Sequence, residues 1–316
     1  MVRERPPVSI VMPVHNGGAD LSEALSSIEH QTFTDYELVV VDDHSTDGTA
    51  ETLRRAAASD RRIRVVEPAD RGFVAAVSTG IEASTGAWIA RMDADDRSHP
   101  DRLARQFAHL EANPDVDLVG TAVQVIEPDG TPGVVVRYPL HHPLITLALR
   151  SANTFAHGTV VVRRTALASV GGYRSAAFPV EDYDLWCRLI GSGFVTANLD
   201  EPLYDYRLSP GGVSRLKAER QAEMLVDVGA TFAASLGVPP RWAESWRAVG
   251  SISCAAADGL VGDRALARAA QSTRRTVVPW MRSRRWGAAG AAAVAAMRAE
   301  AAYRRRRLAA ALPGNR

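Results

Sequence analysis

Short apolar strands alternate with helices along the N-terminal part of this chain. The β-branched runs VSIVMPVHN at 8–16 and ELVVVDD at 37–43 each end in polar residues and predict buried strands that open into loops. Further strands are expected at 63–66 and 87–92, and helices at 20–30 and 73–83. Such alternation builds an open, mostly parallel sheet flanked by helices, and ligands bind outside the carboxyl ends of its strands. The sequence therefore predicts an α/β fold with a site at one edge of the sheet.

Carboxylates follow two of these strands. Asp43 comes after the second strand, and the run RMDADD at 91–96 comes at the end of the fourth. Side chains two residues apart in an extended chain point the same way, so Asp93 and Asp95 can both face one divalent cation while Asp96 faces elsewhere. Hard oxygen ligands of this kind favour Mg²⁺ or Mn²⁺. A polar strand end followed by a helix cap remains the alternative interpretation of the run.

A second acidic pair begins a later helix. Glu181 and Asp182 precede the apolar run YDLW at 183–186. A free carboxylate there can act as a general base, whereas an acidic first turn that only complements the helix dipole is the alternative. No G-x-G-x-x-G motif follows any of the predicted strands, so a nicotinamide or flavin site has little support.

Together these motifs resemble the family 2 glycosyltransferases, which are inverting enzymes of the GT-A fold. They move a sugar from a nucleotide diphosphate donor to an acceptor hydroxyl. The resemblance runs from about residue 8 to residue 214. Besides the segments 8–16 and 91–96, it rests on SSIEHQTFTDYELVVVDDHSTDGT at 26–49, HGTVVVRR at 157–164, GGY at 171–173 and EDYDLWCRL at 181–189.

The resemblance implies a role for several residues. Pro13, His15 and Asp43 would line the nucleobase pocket, with Asp43 accepting a hydrogen bond from a base N–H. Asp95 would hold Mg²⁺ or Mn²⁺ on the diphosphate, Asp93 would lie beside the ribose or a metal-bound water, and Asp182 would be the catalytic base. The implied partners are a nucleotide-sugar donor and a glycan or lipid-linked acceptor, in cell-surface polysaccharide or glycoconjugate synthesis.

The chain departs from the family pattern in two places. The stretch AAVSTGIEA at 75–83 lacks the basic or Asn-containing residues that often precede the acidic pair, and Arg71 is one candidate substitute. The second departure is YRLSPGG at 206–212, which has Ser209 where His is usual, although this Gly-rich loop could still fold over the donor as a lid.

Three basic residues after the acidic run have two interpretations each. His157 either faces the donor phosphates or closes a strand. Arg163 and Arg164 form either a solvated strand end or a phosphate clamp.

Two other functions compete with sugar transfer. A sugar nucleotidyltransferase would share the sheet and the metal, but it should carry Arg and Lys in a Gly-rich loop after the first strand, and HNGGAD at 15–20 has neither. A non-catalytic nucleotide-sugar-binding subunit is the other alternative. The presence of Asp43, Asp93, Asp95 and Asp182 counts against it.

The C-terminal third has a different composition. Strand signals stop near residue 215 and Ala, Arg and Leu predominate, so we expect a catalytic domain at 1–214 and a helical region at 215–316. The apolar run 286–297 is too short for a bilayer, which needs roughly 20 residues. Arginines and aromatic residues are interleaved at 280–307. This basic segment is a solvated helix face, a contact with an anionic membrane or lipid-linked acceptor, or a packing surface for the catalytic domain or a second subunit in a homodimer.

Charge and cysteine content limit the remaining options. A net charge of +1 gives no overall attraction to nucleic acid. The two cysteines, Cys187 and Cys254, are too few for a disulfide framework, and Cys187 is expected to be a reduced core thiol. The start MVRERPPVSI lacks an apolar signal region, so a cytoplasmic location is expected, with peripheral contact at the inner face of the membrane as an option.

Overall fold

A computed structural model describes residues 5–127, 130–150, 152–208 and 217–236. In these residues a nine-stranded sheet carries helices on both faces, which confirms the α/β fold. The strands are β1 (Val8–Val14), β2 (Tyr36–Asp42), β3 (Ile63–Val66), β4 (Trp88–Arg91), β5 (Arg97–Ser98), β6 (Val116–Ile126), β7 (Pro132–Val136), β8 (Val161–Arg163) and β9 (Val195–Arg207).

The first four strands form a parallel half of the sheet in the order β3-β2-β1-β4. Strand β1 is central, and its residues are all buried. Its register sets Val14 beside Asp42 and Val11 beside Arg91. Because neighbouring parallel strands end at the same edge, the loops after β1, β2 and β4 meet there, as the sequence predicts.

The second half of the sheet is mixed. Strand β8 is antiparallel to β4 and β6, whereas β9 runs parallel to β6. Short β5 pairs antiparallel with β9, which sets Arg97 opposite Asp205, and β7 pairs antiparallel with β6. The pairing of β5 with β9 brings the end of β9 beside the acidic run at 91–96.

Eight α-helices lie in the described residues. They are α1 (Asp20–Glu29), α2 (Thr49–Ser59), α3 (Phe73–Ala83), α4 (Arg102–Ala112), α5 (His142–Ala148), α6 (Arg164–Ser169), α7 (Glu181–Gly191) and α8 (Ala218–Ser235). Two short 3₁₀ helices, His157–Thr159 and Ser175–Ala177, also lie in this part of the chain.

Alternating side chains of β1 pack into two hydrophobic cores, one on each face of the sheet. Ile10 and Met12 pack on one face with α1, α2 and α4, whereas Val11 packs on the other with α3, α6 and α7. Gly80 of α3 faces Val11 so closely that a Cβ atom there would lie 2.5 Å from its Cγ1 atom. This close approach of α3 to the sheet needs glycine.

The predicted boundaries are close to the observed ones. Strand β3 and helix α3 have the expected bounds, and α1 ends one residue before the predicted 20–30 range. Strand β1 ends at Val14, two residues early, because the chain turns at Asn16, whose φ is 53°.

Helix α8 is the described part of the predicted C-terminal helical region, and it packs on α7 with Phe232 buried. The boundary at residue 214 stays a prediction. The tail from 237 onwards, including Cys254 and the basic segment, lies outside the described residues. None of the helices described here is both long and apolar enough to span a membrane.

Candidate active site

The loops after β1 and β2 build one side of the site. The ring of His15 bonds through Nδ1 to the carbonyl oxygen of Asp43 at 2.7 Å. Asn16 donates its N–H to the hydroxyl of Ser45 and accepts the N–H of Thr46 on its side-chain oxygen, at 2.9 and 2.8 Å. Pro13 is buried in β1, whereas His15 is exposed. The two loops are thus tied together, with His15 and Asp43 beside each other.

The carboxylate of Asp43 is held against the start of α3. The N–H of Gly72 donates to both of its oxygens, at 3.1 and 2.9 Å. Gly72 has φ of 112°, a conformation that favours glycine. Each carboxylate oxygen has two lone pairs, so Asp43 keeps acceptor capacity for a ligand N–H.

The two carboxylates of the acidic run have different environments. Asp93 forms an ion pair with Arg91, and its N–H donates to the hydroxyl of Tyr204 at 3.1 Å. Asp95 is half-buried, and desolvation, together with the charge of Asp93, raises its pKa to about 6. Asp96 points away into the core, as expected, and is 2% exposed.

Two buried arginines, Arg91 and Arg102, donate hydrogen bonds to backbone carbonyls around this run. Arg91 donates from Nη1 to the carbonyls of Val11, at 3.2 Å, and Met92. Arg102 donates from Nη1 to the carbonyls of Arg91 and Gly158, at 3.1 and 2.6 Å. Burial lowers the pKa of Arg102 to about 10. Sequence reasoning missed both residues, although Arg91 stands at the end of a buried strand directly before the acidic pair.

Arg207 at the end of β9 fixes the other side of the run. Its N–H donates to Asp96 at 2.7 Å, and its Nε donates to the carbonyl of Asp95 at 3.0 Å. Its Nη2 pairs with Glu23 of α1 at 2.5 Å. The role of Arg207 as a brace for residues 95 and 96 was also missed. The loop that follows, including Ser209, lies outside the described residues.

Asp182 lies in the first turn of α7 and is half-buried. Its Oδ1 accepts the N–H of Tyr183 at 2.6 Å, and its Oδ2 accepts from the side-chain amide of Asn153 at 2.7 Å. Burial raises its pKa, and the charge of Asp93 acts in the same direction. Burial and Asp182 raise the pKa of the adjacent Glu181. Asp182 is thus held by its own helix and by the side chain of Asn153.

His157 connects these two parts of the site. Its Nε2 accepts hydrogen bonds from the Tyr173 hydroxyl at 2.7 Å and from Arg91 Nε at 3.3 Å. Burial and the charge of Arg91 hold its pKa well below the usual range, so the ring is neutral. His157 opens the turn before β8, so it does not close a strand, and the interpretation that it faces the donor phosphates stays a prediction.

The arginine pair after β8 is engaged elsewhere. Arg163 donates to Asp117 at 2.9 Å, and Arg164 donates to the carbonyls of Gly86 and Ile81 at 2.6 and 2.9 Å. These contacts tie the chain to itself at the end of β8, where the Arg163 side chain is 35% exposed, and a role of the pair as a phosphate clamp stays a prediction. The departure at 75–83 lies within α3, and Arg71 beside it is exposed.

The residues at the edge fit a hard divalent cation only in part. No group of three or more His, Cys, Asp or Glu side chains suited to a metal occurs within the residues that the structure describes. Asp93 and Asp95 offer carboxylate oxygens, and Mg²⁺ is commonly held by one or two carboxylates plus substrate phosphates and water. The donor set therefore suits a cation that arrives with a phosphorylated ligand.

Comparisons with known proteins identify relatives of this chain. The chain is 35% identical over 206 residues to the glycosyltransferase EpsE of Bacillus subtilis. The matched region covers 64% of this chain and 73% of EpsE. It is 30% identical over 204 residues to the O-antigen biosynthesis glycosyltransferase WbnJ of Escherichia coli, covering 64% of this chain and 79% of WbnJ.

A solved structure shares the fold. The mannosyltransferase PcManGT of Pyrobaculum calidifontis, in complex with GDP-Man and Mn²⁺, superposes with a TM-score of 0.57 at 23% identity. The superposition covers 93% of this chain and 87% of PcManGT. The model of the glycosyl transferase family 2 matches residues 9–171, which include Asp43, Asp93 and Asp95 and stop before Asp182. This chain belongs to glycosyl transferase family 2 and is a glycosyltransferase.

Proposed function

We propose that this enzyme is an inverting, metal-dependent glycosyltransferase that moves a sugar from a nucleoside diphosphate to an acceptor hydroxyl. One observation carries the proposal. Asp43, Asp93 and Asp95 follow parallel strands that end at one edge, and His157, which is bonded to Arg91, lies with its ring 6.0 Å from that of Trp186 on the helix that carries Asp182. In such an arrangement Asp43, Asp93 and Asp95 would bind the donor, and Asp182 would accept the proton of the acceptor hydroxyl.

The donor side would use residues at the ends of β1, β2 and β4. Pro13, His15 and Asp43 would line the nucleobase pocket, where Asp43 keeps free lone pairs. Asp95, with Asp93, would hold Mg²⁺ or Mn²⁺ on the diphosphate. A bound divalent cation supplies Lewis-acid stabilisation of the charge that develops on the leaving oxygen. Arg91 would keep Asp93 in place beside the ribose or a metal-bound water.

The acceptor side would use Asp182. The acceptor oxygen forms a bond to the sugar C1 while the bond from C1 to the diphosphate oxygen breaks, and the diphosphate leaves with that electron pair. The hydroxyl proton passes to the carboxylate of Asp182. The raised pKa of this half-buried carboxyl makes it a stronger proton acceptor than an exposed aspartate. One attack from the face opposite the leaving group inverts the anomeric centre.

Relatives suggest the biological setting. WbnJ is named for O-antigen biosynthesis, and PcManGT was solved with GDP-Man and Mn²⁺. By analogy, we propose a glycan or lipid-linked acceptor in the synthesis of a cell-surface polysaccharide or glycoconjugate. The enzyme would work in the cytoplasm.

The basic segment 280–307 would add a peripheral membrane contact. Each Arg near an anionic surface is worth about 1 kcal/mol. Co-sedimentation with anionic liposomes at low salt, reversed at high salt, is the expected result. A chain that stays in the supernatant at both salt concentrations would contradict this contact.

A thermal-shift panel of nucleoside diphosphates and nucleotide-sugars tests the donor site. With Mn²⁺ present, a ligand at 100 times its dissociation constant should stabilise the folded protein by about 2.7 kcal/mol. With EDTA the shift should nearly vanish, because Asp93 and Asp95 would repel the phosphates. An equal shift in Mn²⁺ and EDTA would show that the metal role is wrong. Asp95→Asn serves as the matched variant, and its shift should no longer depend on Mn²⁺.

Inversion has its own test. Slow hydrolysis of the donor by the enzyme releases a free sugar, whose first-formed anomer can be read by proton NMR before it equilibrates. An α-linked donor should release the β anomer first. Release of the α anomer would contradict a single displacement assisted by Asp182.

A further inference from the structure

We propose that Asn153 is the positioning residue for the Asp182 carboxylate, holding the base in one orientation for the acceptor hydroxyl. This inference rests on the proposed role of Asp182 as the base. Asn153 lies in the loop between α5 and β8, 29 residues before Asp182 in the sequence.

The amide of Asn153 can be oriented in only one productive way. Its side-chain oxygen accepts the N–H of Phe155 at 3.2 Å, so its amide nitrogen faces Asp182 and donates to Oδ2 at 2.7 Å. The other oxygen of Asp182 accepts the N–H of Tyr183. With one donor on each oxygen, the plane of the carboxylate is fixed, and the remaining lone pairs are free for an acceptor proton.

The loop that carries Asn153 is itself anchored. Phe155 is 2% exposed and packs edge-on against Trp186, one turn along α7 from Asp182, with ring centroids 5.7 Å apart. The carbonyl of Thr154 accepts from the side chain of Asn198 on β9 at 3.1 Å. Asn153 is therefore fixed relative to both the helix that carries Asp182 and the sheet. Such anchoring is what a precisely placed base requires.

The surroundings of Asp182 explain why a neutral donor is needed there. The titratable groups that interact with it are Glu181 and Cys187 of α7 itself and Asp93, Tyr138 and Tyr173 from other parts of the chain. Burial and the carboxylate neighbours favour protonation of Asp182 and would remove its function as a base. The donors from Tyr183 and Asn153 act in the opposite direction and stabilise the charged form.

The test is the pH profile of kcat in Asn153→Ala. A base works only when deprotonated, so activity falls as the pH drops through its pKa. Without the Asn153 donor that pKa rises, and the acid limb should move up by about one pH unit. Donor KM should stay unchanged. Asn153→Leu, which keeps the side-chain shape without the donor, should give the same shift if the alanine variant folds poorly.

Asn113→Ala is the matched control. Its amide donates to the carbonyl of His109 at the end of α4, so the change also removes one hydrogen bond, but none to a carboxylate. Its pH profile should match that of the wild type. An unshifted acid limb in Asn153→Ala and Asn153→Leu, or a change confined to melting temperature or acceptor KM, would overturn the positioning role. Asp182→Asn run in parallel separates the two proposals, because normal turnover in that variant would instead refute the proposed base.

Discussion

At the scale of single residues, the close packing around Gly158 leaves no room for a side chain beside the acidic run. A Cβ atom on Gly158 would lie 2.2 Å from the hydroxyl of Tyr204 and 2.8 Å from Oδ2 of Asp93. Tyr204 accepts the N–H of Asp93, so displacement of the tyrosine also moves that carboxylate. Residue 158 therefore controls the position of Asp93 without being polar.

Gly158→Ala should lower turnover by about tenfold or more, because displacement of a positioned group by about 1 Å is costly in catalysis. The measurement is kcat with saturating donor and Mn²⁺. Gly48→Ala is the control, since no atom lies within 4 Å of a Cβ built there and its φ of −75° suits alanine. Unchanged turnover in Gly158→Ala would contradict the close packing around Asp93.

The sequence predicts the carboxylates of the candidate site but not the residues that bond to them. Asp43, Asp93 and Asp95 could be identified because an acidic residue after an apolar strand is visible in one segment. Asn153, which bonds to Asp182, lies 29 residues from it in the sequence. Arg207, which bonds to Asp96, lies 111 residues from it. Pairing over such separations depends on tertiary packing, which local patterns do not encode.

At the scale of elements, Glu37 of β2 joins the sheet to the loop before β4. It accepts from the hydroxyl of Ser9 at 2.6 Å and from the N–H and hydroxyl of Thr85 at 2.5 and 2.7 Å. Burial raises the pKa of Glu37, but the hydrogen bonds from Ser9 and Thr85 outweigh it and the net pKa is lowered. The charged form is thus the one that stabilises the fold.

Glu37→Gln should reduce the free energy of unfolding at pH 7 by about 1 kcal/mol or more, since hydrogen bonds to a charged group are lost. The folded-state pKa lies below the usual glutamate pKa of 4.5, so the difference between wild type and variant should persist above that pH and shrink as the pH falls below it. Urea unfolding at pH 7 and pH 3 measures this. A difference that does not depend on pH would contradict it. Glu51→Gln, at an exposed pair with Arg54, should change little.

The elements also show where sequence patterns suffice. The bounds of β3 and α3 were predicted because their apolar periods are local. The order of β8, β6 and β9 was not, because β6 pairs with one neighbour antiparallel and with the other parallel. Strand order follows from long-range pairing, and two arrangements with the same strands have the same local pattern.

At the scale of the whole molecule, α8 contributes to the core of the preceding residues. Phe232 is 3% exposed and packs in the core that includes α7, and Gly229 is so close to Arg150 and Tyr183 that a Cβ would lie 2.7 Å from an oxygen of each. These contacts lie beyond residue 214, where the sequence placed the domain boundary.

A chain ending at residue 236 should therefore unfold cooperatively, whereas one ending at 214 should have a clearly lower melting temperature. Loss of the buried Phe232 side chain alone removes about 1.5–3 kcal/mol of burial. Thermal melts of the two truncated proteins test this. Equal melting temperatures would instead support the boundary at residue 214.

The turnover of Asp182→Asn at saturating donor tests the proposed mechanism most directly. The substitution keeps the shape of the side chain and removes the proton acceptor, so turnover should fall by about 10² or more. The donor-induced thermal shift in Mn²⁺ should match that of the wild type. Near-normal turnover would show that Asp182 is not the base, and loss of the donor-induced shift would place it in the donor site or the structural core instead.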